Sequence, residues 1–167
     1  MANDLFRRQF ASYAAVHRDP RNKTTHFIGI PAIVFSLVLL LTLWRVPGLG
    51  ISWALALGVL AVAGWILLDA GIGVVLGVLM AAGWVAAEAL GAQLGGTGVW
   101  IAFAILFVGG WIVQFLGHHY EGKRPALLDN IFQGFIGPMF LVGETLVAMG
   151  HRRDLAALMG DHPVTSQ

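Results

Sequence analysis

The chain has 167 residues, 57% of them apolar and 11% charged, with a mean hydropathy of +0.77. A soluble domain of this size carries about a quarter charged residues, so a large part of this surface is expected to face lipid. The net charge of +1 gives no footing for a nucleic-acid partner, and the absence of cysteine excludes disulfides, thiolate metal sites and thiol nucleophiles.

The opening residues, MANDLFRRQF, do not follow the pattern of a secretory signal, which places an apolar run directly after its first positive charges. Phe6, Phe10, Tyr13 and His17 recur on one helical face, with Arg7, Arg8 and Ser12 off it. This predicts an amphipathic helix over 3–17, resting at the membrane interface or, alternatively, solvated. Four apolar stretches follow, Phe27–Trp44, Ile51–Leu68, Gly71–Leu90 and Gly98–Leu116, each about as long as a bilayer-crossing helix. Turn-like separators divide them: Pro47-Gly48, Asp69-Ala70-Gly71 and Gly95-Gly96. Trp44, Trp53, Trp65 and Trp100 stand at segment ends, as interfacial tryptophans do. Gly73 and Gly77 permit close helix packing inside the bundle.

A fifth stretch, Ile131–Met149, holds Gln133, Pro138 and Glu144, and a kink near Pro138 is expected. A polar tail occupies 150–167. The fold class is therefore all-α, a polytopic helix bundle forming one membrane-embedded domain. Arg7, Arg8, Arg18, Arg21 and Lys23 precede the first span, and Lys123 and Arg124 follow the fourth. By the positive-inside rule both regions are cytoplasmic, consistent with a bacterial inner-membrane protein. Arg152 and Arg153 would be misplaced if the fifth helix crossed, so it is expected not to cross.

Four of the six histidines lie in two short regions, His17 and His26 before the first span, His118 and His119 after the fourth. Four crossings bring both regions to one membrane face. Without thiolates, an imidazole and carboxylate site suits Fe(II), Mn or Zn. Glu121 and Glu144 are the candidate carboxylates. His118 and His119 point about 100° apart on a helix, so both reach one ion only if the helix has ended. Glu144, an ionisable residue in an apolar stretch, is a functional candidate, although a straight helix would carry it away from the histidines. Glu88 reads as structural and Asp69 as a turn residue. Lys123 and Arg124 can grip a substrate carboxylate or simply anchor the topology.

Three blocks carry a family resemblance: Tyr13, His17, Pro20, Asn22 and His26 running into Pro31; Gln114, Gly117, His118 and Glu121, followed by Arg124-Pro125 and Asp129-Asn130; and Pro138 with Glu144. In this order between apolar spans they resemble the Fe(II)-dependent 2-hydroxy-fatty-acid dioxygenases. The resemblance implies α-oxidation at a membrane face: a 2-hydroxy fatty acid and O₂ give the acid one carbon shorter, with membrane lipid around the bundle. It also implies His17, His26 and His118 as iron ligands, with Tyr13, Asn22, Gln114, Glu121 and Glu144 around them. The chain departs from the yeast member in a His118-to-Glu121 spacing one residue shorter and in an additional histidine, His119, a possible further ligand. A 2-hydroxy acid offers a metal both its carboxylate and its hydroxyl, and the protein supplies an open coordination sphere.

Three other readings compete. Diiron membrane hydroxylases use about eight histidines in clustered motifs, more than this chain has. A small transporter or proton-coupled carrier would use Glu88, Glu144 and the histidines as a path through the bilayer. A non-catalytic scaffold would leave the histidines without a role.

Overall fold

The computed structural model describes residues 2–122 and 132–160, which form six helices and no strand. These are α1 (Asp4–Ala14), α2 (Pro20–Leu41), α3 (Trp53–Leu68), α4 (Ala70–Glu121), α5 (Phe132–Ala148) and α6 (Arg153–Met159). The first four starts have a local cause. Asn3, Asp19, Ser52 and Asp69 cap them, each side chain accepting a backbone N–H of the first turn, which a helix start otherwise leaves unpaired.

Two helices, α2 and α4, are long and apolar enough to cross a membrane, and a third span exists only if α5 and α6 are taken as one bent pair. That is fewer than the four expected. α3 has only 16 residues between its Ser52 cap and Asp69. The stretches 71–90 and 98–116 share one 52-residue helix, interrupted at Gly95 (φ 66°, ψ 174°). A straight helix of that length would extend about 78 Å. Both ends of α4 nevertheless meet the region around α1. Asn3 donates its backbone N–H to Leu68, next to the start of α4, at 3.0 Å. The His17 ring lies 5.1 Å from His118, near the end of α4. The helix therefore doubles back at Gly95, a conformation that glycine adopts without a Cβ penalty.

The two halves pack on different partners. Gly73 and Gly77 lie against Ile66 and Val62 of α3, whereas Gly110 and Gly117 lie against α2 at Gly29, Ile33 and Thr25. At the far end Glu88 binds Arg45 through two hydrogen bonds of 3.1 and 2.8 Å and accepts from Trp84, the structural role expected of it. Trp65 departs from the interfacial expectation: it is buried, and its indole N–H donates to the Phe135 carbonyl at 3.0 Å.

α1 has the apolar face read from the sequence, but protein rather than lipid covers it. Phe6 and Phe10 are fully buried in a cluster with Ile72, Phe140 and Leu155. α5 lies across α1 along its length. Gln133 donates to Gln9 at 2.5 Å, Gly137 faces Tyr13, and Gly143 faces Phe10. The sharp turn of the chain lies beyond the residue where a kink was expected, Pro138. α5 is continuous through Pro138, and the sharp bend of 113° comes between Ala148 and Arg153. There Arg152, at φ 55°, binds Asp69 at 3.0 and 2.8 Å and Asp154 at 2.9 and 2.8 Å. Asp69 is thus more than a turn residue. Burial opposes its ionisation, but hydrogen bonds from Arg152 and the Ile72 N–H outweigh this and hold the carboxyl below its usual range.

Candidate metal centre

Three elements deliver three imidazoles to one place. His17 sits in the turn after α1, His26 one helical turn beyond Asn22 on α2, and His118 near the end of α4. All three are buried, and one ligand nitrogen from each lies within 4.8 Å of the others.

Their hydrogen bonds fix which nitrogens face inward. His17 Nδ1 is 2.7 Å from the Tyr13 carbonyl and His26 Nδ1 is 2.8 Å from the Asn22 carbonyl. A carbonyl only accepts, so each neutral ring carries its proton on Nδ1 and presents an Nε2 lone pair. The two Nε2 atoms are 2.9 Å apart. Facing lone pairs at this separation repel unless a cation lies between them. Burial, reinforced by His26, lowers His17 to about 3, so this cation is not readily a proton. Metal–imidazole bonds of about 2.0–2.1 Å let two such nitrogens share one ion. His118 Nδ1 is also buried with no partner. The donor set therefore fits a metal ion.

The surrounding residues brace this arrangement. Tyr13 stacks on His17, ring centroids 4.0 Å apart and nearly parallel, and burial followed by the nearby Glu144 raises its phenol above the ordinary value. Glu121 Oε2 accepts from the backbone N–H groups of Arg18 and Asp19 at 3.0 and 2.8 Å, and from the Asn22 amide at 3.2 Å. It stands outside the histidine cluster, tying the His17 turn to the end of α4. Glu144 reaches this region without any break at Pro138, because α5 crosses α1; its Oε1 binds Lys23 at 2.5 Å and its Oε2 is buried without a partner.

His119 is exposed and outside the cluster. The helix runs on to Glu121, so the 100° between neighbouring residues turns His119 away from His118. Lys123 and Arg124, expected to meet a carboxylate, lie outside the described residues.

A cavity of about 410 Å³ opens on the histidines and is lined also by Tyr13, Gln114 and Gln133. Gln114 is a candidate from the sequence, but Gln133 was missed. Both are buried with an amide oxygen lacking a partner. The signal for Gln133 was its polarity inside an apolar stretch.

Fold and site together define a class: an apolar helical bundle, compatible with membrane association, with a buried three-histidine centre at one end. The chain belongs to the Mpo1-like family, whose model, described as "2-hydroxy-palmitic acid dioxygenase Mpo1-like", matches residues 4–149. It is also similar to the 2-hydroxy-palmitic acid dioxygenase MPO1 of Saccharomyces cerevisiae, 33% identical over 161 residues, spanning 92% of this chain and 86% of the yeast protein. No solved structure matches.

Proposed function

We propose that this protein is an Fe(II)-dependent dioxygenase that shortens long-chain 2-hydroxy fatty acids by one carbon, at the cytoplasmic face of a membrane it crosses four times. The observation that carries the reading is the facing pair of Nε2 lone pairs beside His118, together with the similarity to the yeast 2-hydroxy-palmitic acid dioxygenase. His17, His26 and His118 would hold the metal. Iron fits better than zinc because zinc has no redox chemistry. A bound iron would supply the oxygen chemistry and a chelation point for a carboxylate with a neighbouring hydroxyl.

The chain's own residues supply position. Tyr13 and Asn22 fix the two tautomers through their carbonyls, and Glu121 anchors the turn between them. Gln114 and Gln133 present amide oxygens with unmet acceptor capacity at the same cavity, which suits the O–H of a hydroxy acid. The transporter reading loses its carboxylates, since Glu88 is paired with Arg45 and Glu144 with Lys23. The reaction balances as hydroxy acid plus O₂ giving the shorter acid, CO₂ and water.

The test pairs metal content with product mass. Anaerobically purified protein should carry one iron per chain; His26→Ala should lose it and His151→Ala should keep it. With C1-labelled substrate and ¹⁸O₂, the product should lack the C1 label and should not form without oxygen. Retention of the label, or equal iron in both variants, refutes the reading.

A further inference from the structure

Two apolar cavities flank α2 and share the side chains of Ile30 and Val34 as a wall. The larger, about 580 Å³, is bounded by residues such as Met80 and Leu146, and Thr145 is the single hydroxyl among its described lining residues. The smaller, about 410 Å³, is two-ended. Its lining on α2 runs His26, Ile30, Ile33, Val34 and Leu37, and on α4 it runs His118, Gln114, Trp111 and Phe107. Each series keeps to one helical face. The two helices run antiparallel, in backbone contact where Gly29 meets Gly110, so the histidines share one end of the furrow and Leu37 and Phe107 share the other.

We propose that this furrow holds the substrate's acyl chain and that Leu37 and Phe107 set its length. The identity of the occupant rests on the reaction proposed above; the seat rests on the furrow. From His26 to Leu37, as from His118 to Phe107, the helix rises about 16 Å. With C–C bonds of about 1.5 Å an extended chain advances roughly 1.25 Å per carbon, so about 13 carbons fit between the histidines and the far residues. The polar end is marked independently: Gln114 and Gln133, 6% and 4% exposed, each have an amide oxygen without a partner. A hydroxy acid entering head first brings its O–H donor to these acceptors, enough for one of them, while its tail covers Ile33 and Trp111. The reverse pose would set a carboxylate against Leu37 and Phe107. Leu37 is 41% exposed, so the furrow reaches the outer surface of the bundle at this end.

The experiment has two arms on the full-length, iron-loaded protein. In the first, 2-hydroxyhexadecanoic and 2-hydroxyoctanoic acids are compared in wild type, Leu37→Trp and Phe107→Trp, with iron content as the check on folding. The tryptophan variants should lose about tenfold or more in kcat/KM for the long acid relative to the short one. In the second, a 2-hydroxyhexadecanoic acid with a diazirine near its methyl end is photolysed and the adducts mapped. Adducts should fall at Leu37, Phe107 and their neighbours on the two helices. Adducts around Met80 and Leu146, or equal losses at both chain lengths, overturn the proposal. Adducts at the far end without turnover of any 2-hydroxy acid would uphold the furrow and overturn the reaction instead.

Discussion

Glu121 and Asn22 shape the histidine cluster without belonging to it. One carboxylate oxygen of Glu121 gathers two backbone N–H groups and the Asn22 amide, so the turn bearing His17, the first turn of α2 and the end of α4 are joined through one side chain. Groups that orient metal ligands without binding the metal are worth about 10–100-fold in affinity. Glu121→Ala should therefore weaken iron binding by about that factor, measured by competition with a chelator, while Glu121→Gln, which keeps a carbonyl acceptor, should lose less. Equal iron affinity in Glu121→Ala and wild type would mean that the turn holds its shape unaided. At this scale the sequence was most informative where motif spacing carried the signal: Tyr13, His17, Asn22, His26, Gln114 and His118 all converge. It was least informative where a residue's role depends on a partner far along the chain. Glu121 read as a possible ligand, and nothing local revealed that Lys23 would take up Glu144 or that Gln133 would reach Gln9.

Among the helices, α2 and the second half of α4 approach most closely at Gly29, Gly110 and Gly117. A Cβ on Gly117 would fall 2.0 Å from Thr25 Oγ1 and 2.6 Å from Asn22 Oδ1, and neither neighbour has free room, since Thr25 is bonded to the Asn22 carbonyl and Asn22 is buried. Gly117→Ala should push the end of α4 away from α2 at a cost of about 1–3 kcal/mol, lowering both thermal stability and iron content. Gly83→Ala on the same helix meets nothing within 4 Å and should be neutral or slightly stabilising, through helix propensity of about 1 kcal/mol. If Gly117→Ala behaves like Gly83→Ala, the close contact does not hold the site together. The apolar stretches were legible as helices because unbroken apolar runs of this length suit a helix, which satisfies its backbone within the segment. Their boundaries were less so. α5 stays helical through Pro138, and the sharp bend lies near Arg152, whose tie to Asp69 spans too much of the chain for a local pattern to reveal.

For the whole molecule, the decisive feature is the reversal of α4. Each half has roughly 25 residues, or about 37 Å of helix, enough to cross a hydrocarbon core of about 30 Å. The reversal at Gly95 then sets the Gly95–Thr97 corner beside the α2–α3 connection, since Trp100 packs on Trp44 with ring centroids 6.2 Å apart. The opposite end collects α1, α5 and the histidines. On the four-crossing topology proposed above, four positions have defined sides, and the absence of native cysteine makes each of them addressable singly. Ser12→Cys and His119→Cys, both exposed at the histidine end, should react together with an impermeant thiol reagent from the cytoplasmic side. Leu49→Cys and Thr97→Cys, exposed at the other end, should react from the opposite side. Labelling of Thr97→Cys and His119→Cys from the same side would mean that the two halves of α4 do not each cross, and the four-crossing topology would fall. Opposite labelling of Ser12→Cys and His119→Cys would separate His17 from His118 across the bilayer, and no metal centre built from both histidines could then exist in the native membrane.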